Sequence, residues 1–232
     1  MKTTLITGAN RGIGLEFARQ YAADGWRVLA CSRHPEKSDA LNQLAAHYPD
    51  QITVHALDVT DHAQIESLAQ ALASESIDLL INNAGVSLHS GVGGFGHTDY
   101  EAWMQTFRIN TMAPLKMAEA FASQIARSGQ KTIVTITSKM GSIADNGSGG
   151  HYLYRSSKAA VNIVVKSLAI DLKPVGITAV VLHPGWVKTD MGGPNAWITA
   201  EQSVSGMRHI ISRLTPADSG KFIAYDGQVV PW

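Results

Sequence analysis

Tyr154 and Lys158 stand four positions apart in Tyr154-Arg-Ser-Ser-Lys158, and Ser138 lies 16 positions before the tyrosine. On a helix, residues at that spacing share a face, so a phenol would sit beside an ammonium. A free tyrosine has a pKa of about 10 and exchanges protons poorly near neutrality. A fixed cation favours the phenolate, and roughly 1.4 kcal/mol of such preference lowers a pKa by one, so Lys158 is expected to lower the Tyr154 pKa and ready it for acid/base work. The same pair alone would also suit an ordinary helix surface, and the rest of the chain has to decide.

A second cluster opens the chain. In Thr7-Gly-Ala-Asn-Arg-Gly-Ile-Gly14, the glycines Gly8, Gly12 and Gly14 let a backbone approach a pyrophosphate. Asn10, Arg11 and Ile13 share that turn, which feeds a helix N-terminus with unpaired N–H groups. Its spacing is Gly-x-x-x-Gly-x-Gly, not the Gly-x-Gly-x-x-Gly of the usual dinucleotide fingerprint. At the end of the second strand an acid would bind the adenosine ribose of NAD, whereas a cation would accept the 2′-phosphate of NADP. Cys31-Ser32-Arg33 offers no acid there, and Arg11 can add a second charge. NADP(H) is therefore expected over NAD(H), from the match of guanidinium to phosphate, although both arginines also suit a solvated surface. Asp58-Val59 could border the adenine; equally, Asp58 or Thr60 could cap a helix.

Positioning these groups takes an alternating framework. Buried strands are predicted at Thr3 to Thr7, Trp26 to Cys31, Ile52 to Leu57, Leu79 to Asn82, Thr132 to Thr137 and Thr178 to His183. Helices are predicted at Gly14 to Ala23, Asp39 to Ala46, Asp61 to Ala73, Tyr100 to Ala126, Tyr152 to Leu172 and Ala200 to Arg213, the last opened by a capping box at Thr199-Ala-Glu-Gln202. Alternation of this kind predicts an α/β fold, a Rossmann-like doubly wound parallel sheet with helices on both faces and ligands at the carboxyl ends of its strands.

The 232 residues, 45% hydrophobic, suit one domain over 1–232. Lys plus Arg and Asp plus Glu number 19 each and no basic run occurs, which argues against nucleic acid. Strand residues begin at once and no apolar run nears ~20 residues, so neither a signal peptide nor a membrane span is expected and the location reads as cytoplasmic. The single cysteine, Cys31, reads as a buried inert thiol. The histidines are scattered and no ligand cluster has zinc-like spacing, so no metal is implied. The Gly-x-Ser-x-Gly elbow of an α/β-hydrolase is missing.

With these motifs in order, and with Asn82-Asn-Ala-Gly85, Asn110 and Pro184-Gly-Trp-Val-Lys-Thr189 beside them, the chain resembles the short-chain dehydrogenase/reductase family over nearly its whole length. The stretch His183 to Gly193 and the ending Asp226 to Trp232 look most like its C-factor and sniffer-type carbonyl reductases. The resemblance implies a hydride transfer between a nicotinamide and a ketone or aldehyde, with Ser138, Tyr154, Lys158 and Asn110 as the catalytic set. Tyr154 would protonate the carbonyl oxygen, Ser138 would hydrogen-bond it, Lys158 would hold the nicotinamide ribose, and Asn110 would anchor a water. It further implies cofactor contacts from Asn83, Ala84, Gly85, Pro184, Gly185, Val187 and Thr189. Two departures stand out: the 16-position spacing is longer than usual, so the intervening loop must bulge, and His183 replaces a small polar residue before Pro184.

Substrate loops are expected at 87–98, at 139–153 and over 192–213, where Leu88, Phe95, Met140 and Trp197 would build an apolar pocket for a small carbonyl or alcohol. Glycines 91, 93, 94 and 96 would make the first of these permissive. Helix Tyr152 to Leu172 is apolar on more than one face and would meet a twin, giving a homodimer or homotetramer. The alternative role is an NAD(P)-binding regulatory or signalling protein of the C-factor type.

Overall fold

The computed structural model describes residues 1–88 and 94–232; Gly91 and Gly93 of the first expected substrate loop lie outside them. Seven strands form one sheet: β1 (Thr3–Thr7), β2 (Arg27–Ser32), β3 (Ile52–Ala56), β4 (Leu79–Asn82), β5 (Thr132–Ile136), β6 (Thr178–His183) and β7 (Phe222–Ala224). They lie in the order β3-β2-β1-β4-β5-β6-β7, and every neighbouring pair is parallel. The helices are α1 (Gly12–Ala23), α2 (Asp39–His47), α3 (His62–Ala71), α4 (Tyr100–Phe107), α5 (Ala113–Ala126), α6 (Tyr152–Asp171) and α7 (Ala200–Ile211).

The period-two geometry of a strand explains the two helical layers. Leu5, Leu29, Leu80 and Ile133 point to the side where Ile65 of α3, Phe121 of α5 and Val165 of α6 pack. Their neighbours Ile6, Ala30, Ile81 and Val134 point to the side of Phe17, Leu41 and Met207, from α1, α2 and α7. Both faces being covered, β1, β4 and β5 are buried along their whole length and show no polar alternation. The chain lays β2 and β3 outward from β1, then returns to set β4 on the other side of β1. That reversal makes the carboxyl ends of β1 and β4 the walls of a crevice.

Two departures from the sequence expectation have physical causes. The helix expected as one piece over Tyr100 to Ala126 widens into a π-turn at Arg108–Met112, where the Ala113 N–H donates to the Arg108 carbonyl. Pro114 has no N–H to give the Asn110 carbonyl and its ring crowds that oxygen, so the ordinary ladder cannot run through. Strand β7 escapes the sequence pattern because it is only three residues long. It is held on one edge by β6 and on the other by the tail, where Val229 bridges Ile223. The capping box at Thr199 and Gln202 is present. Among the described residues, no helix is long and apolar enough to cross a membrane.

Candidate active site

The glycine turn closes on itself by contact. A Cβ on Gly14 would lie 2.2 Å from the Gly8 carbonyl oxygen and 2.5 Å from Nδ2 of Asn83, so nothing larger than hydrogen fits. Asn83 is what ties β4 to this turn: its Nδ2 donates to the carbonyls of Thr7 (2.9 Å) and Gly8 (3.1 Å), while the N–H groups of Asn83 and Ala84 donate to the Thr7 hydroxyl (3.0 Å each). Ala84 and Val59 line one small hollow with Thr7, Asn82 and Ile109. Asn10 and Ile13 are half-buried in the turn, Ile13 packing on the core.

Helix α1 starts at Arg11 with no side-chain cap and no acid in its first turn. Its first N–H groups therefore lack the side-chain oxygen that usually meets them, which fits an anionic ligand such as a pyrophosphate. The loop after β6 closes over the same turn, since Thr189 Cγ2 lies 3.3 Å from where a Gly12 Cβ would be. Thr189 is fixed by Gly192 N–H (3.2 Å), Val187 is buried against Ile198, and Gly185 turns against Ile198 and Tyr225. The Pro184 carbonyl accepts from Ser203 at 2.5 Å.

At the end of β2 the expected donors divide. Ser38 gives its only hydroxyl proton to the His34 carbonyl (2.7 Å), so in the 2.8 Å pair of serine hydroxyls Ser32 is the donor. Ser32 is thus buried and committed to shaping its own turn, whereas Arg33 is exposed. Arg11 is exposed as well but paired with Asp190 at 2.8 Å. Asp58 accepts from the N–H (2.9 Å) and hydroxyl (2.7 Å) of Thr60, a local turn; the cap of α3 is Asp61, not Asp58 or Thr60.

Ser138 follows β5, and α6 brings Tyr154 and Lys158 over it. The serine hydroxyl accepts from Met140 N–H (3.1 Å) and lies near enough to the Tyr154 phenol to favour its ionised form. Lys158 is buried, its ammonium 5.7 Å from the Tyr154 ring centroid and donating to the Ile136 carbonyl at 2.9 Å. Burial pulls Lys158 down to about 8. The expected lowering of Tyr154 is not what the structure gives: burial raises the phenol above its ordinary value, and the nearby Ser138 hydroxyl only partly offsets this. Adjacency was legible in the spacing, but depth was not. The ammonium faces the ring and a carbonyl, so desolvation outweighs its pull on the hydroxyl.

Asn110 sits in the π-turn with its amide spent on protein partners: Oδ1 accepts from Val86 N–H, and Nδ2 donates to the Val86 carbonyl and the Ser157 hydroxyl. Gly85 lies beneath both, a Cβ there falling 3.4 Å from Asn110 Oδ1 and 3.6 Å from Lys158 Nζ. Three residues unremarked or unassigned in the sequence also shape this end. A Cβ on Gly141 would lie 2.7 Å from the Lys158 carbonyl carbon, so the turn after Ser138 rests directly on α6. Asn162, one turn beyond Lys158, accepts from Thr137 at 2.6 Å. His183 accepts from Lys139 N–H (3.2 Å) through Nδ1 and, held down to about 4 by burial, is neutral. The advance signals were a glycine three places after Ser138, a polar residue on an apolar helix face and the unusual His183 before Pro184.

Comparison with known proteins gives the family and the fold. Residues 2–197 match the family model described as short chain dehydrogenase. C-signal of Myxococcus xanthus is 44% identical over 169 residues, 72% of this chain and 100% of that protein. Carbonyl reductase Sniffer of D. melanogaster superposes with a TM-score of 0.93 at 31% identity, covering 100% of both chains. An NADPH-bound carbonyl reductase from chicken fatty liver gives 0.91 at 34% identity, over 100% of this chain and 99% of that one.

Proposed function

Because this chain belongs to the short-chain dehydrogenase family and is an NAD(P)-dependent oxidoreductase, we propose that it is an NADP(H)-dependent carbonyl reductase with Tyr154 as the acid. The observation that carries this reading is the meeting of Ser138, Tyr154 and Lys158 above β5, across the sheet ends from the uncapped start of α1. The turn from Gly8 to Gly14 and Arg33 would hold the dinucleotide at one end, and Val187 and Thr189 at the other. Bound NADPH would supply the hydride. Tyr154, kept protonated at neutral pH by burial, delivers its proton to the carbonyl oxygen, and Ser138 donates a second hydrogen bond to that oxygen. The Lys158 charge over the ring stabilises the phenolate left behind. A proton-loaded phenol favours reduction over alcohol oxidation near neutrality.

The preference for NADPH rests on Arg33, exposed at the β2 end where no acid stands, and on the likeness to the NADPH-bound chicken enzyme. The chain works as a cytoplasmic homodimer or homotetramer on this reading. Ile163 and Ile170 of α6 and Tyr100 and Met104 of α4 are exposed apolar groups that a second copy would cover; sedimentation showing only monomer at micromolar protein would contradict it. The test of the function is NADPH and NADH oxidation over a panel of ketones and aldehydes. Faster NADPH consumption with apolar carbonyls is expected. Tight NADPH binding with no turnover of any carbonyl would favour a signalling protein instead, the reading that the likeness to C-signal supports.

A further inference from the structure

Between Ser138 and Tyr154 the chain leaves one half of the reacting pair and returns to the other, and a single side chain spans the two ends of that excursion. Arg155 follows Tyr154 in the first turn of α6. Its Nη1 donates to the Met140 carbonyl (3.2 Å), its Nε to the Gly149 carbonyl (3.2 Å) and its Nη2 to the Ser148 hydroxyl (2.8 Å). Met140 lies just past Ser138 and Gly149 just before α6, so one planar group fixes the separation of the loop's departure and return. All three acceptors are neutral, and among the described residues no carboxylate pairs with this guanidinium. An ordinary surface ion pair is therefore not its role.

The first part of the loop is held by Ser142 on the Pro231 carbonyl (2.6 Å) and Lys139 on Asp145 (3.2 Å), but its return to α6 is tightly turned. Gly149, Gly150 and His151 take successive positive φ values of 64°, 62° and 48°, the last in a residue that bears a Cβ. Helix α6 then begins without a side-chain cap hydrogen bond from His151. Residues 143–149 are exposed and bury little apolar surface of their own.

We propose that Arg155 is a positioning residue that locks the loop 139–151 as one wall of the carbonyl pocket. The proposal rests on the reductase reading above and deepens it: Arg155 sets which carbonyls fit, without touching the reacting atoms.

The test compares Arg155→Gln and Arg155→Lys with wild type in the full chain, reading KM and kcat over carbonyls of rising size, NADPH affinity, and amide hydrogen exchange. In both variants exchange over 146–151 should rise about tenfold or more. KM for bulky ketones should rise about tenfold, while kcat on the smallest aldehyde and NADPH affinity stay within about twofold. Lysine should fare no better than glutamine, because a point charge cannot reproduce three donors in one plane. Unchanged exchange and KM in Arg155→Gln, full rescue by lysine, or parallel loss of NADPH binding and thermal stability would each overturn it. Should wild type turn over no carbonyl at all, the functional reading falls, and the exchange arm still decides whether Arg155 holds the loop.

Discussion

Lys158 shows how far a side chain's type and its surroundings can pull apart. Four-residue spacing from Tyr154 placed the two together, but only the fold shows that the ammonium is buried, with a pKa lowered from 10.5 to about 8. Between those values the unfolded chain binds a proton that the folded chain has released, so this group's contribution favours folding increasingly as pH rises through the window. Below about 8 it costs stability in full, on the order of 3 kcal/mol before its hydrogen bond to Ile136 is counted. Lys158→Met is therefore expected to lose at least ~100-fold in turnover while its thermal midpoint holds or rises; a clear fall in the midpoint would mean that the carbonyl contact outweighs the burial cost. In wild type, kcat for reduction should fall as pH rises past about 8, where the cation is lost, and a profile flat to about pH 10 would contradict that role. Tyr154 is the reverse case. Its identity was readable, yet the direction in which its pKa moves depended on burial, which a local spacing cannot express.

At the scale of elements, most of the framework was legible because it follows from period and punctuation, and the misses mark places where one residue overrides the pattern. The break at Arg108–Met112 was written in Pro114, inside a run whose apolar spacing alone reads as one helix. Its consequence is functional, for it sets Asn110 beside Gly85 and Lys158. The contact of the Ser138 turn with α6 left a weaker trace, a glycine that only the packing explains. Gly141→Ala should force that turn off Lys158 and cost about 1–3 kcal/mol from overpacking. Activity should drop about tenfold or more while NADPH binding persists, as the serine moves from the phenol. Equal stability and rate in the variant, by chemical denaturation and steady-state assay, would show that the turn relaxes freely. Strand β7 stayed hidden because three residues carry no readable alternation, and its pairing with β6 and the tail is settled only in three dimensions.

Over the whole molecule, the sheet order decides where chemistry can happen. Reversal between β1 and β4 opens the crevice, the glycine turn and Asn83 stitch its rim, and β5 with α6 set the proton-handling groups alongside. The α/β class and the crevice followed from the alternation of runs, whereas the arrangement at the β2 end did not: Ser32 donates to Ser38, Arg11 pairs with Asp190 on the surface, and Arg33 stands exposed. Arg33→Asp is expected to lower the ratio of NADPH to NADH use by about tenfold or more, read as kcat/KM for each; an unchanged ratio would move phosphate recognition elsewhere. The most direct check of the central claim is single-turnover NADPH oxidation by Tyr154→Phe beside wild type, with NADPH affinity measured on both. Loss of the phenolic proton should slow the reaction by about 10² to 10⁴ with NADPH bound as tightly as before, whereas equal rates in the two proteins would contradict a proton delivered by Tyr154.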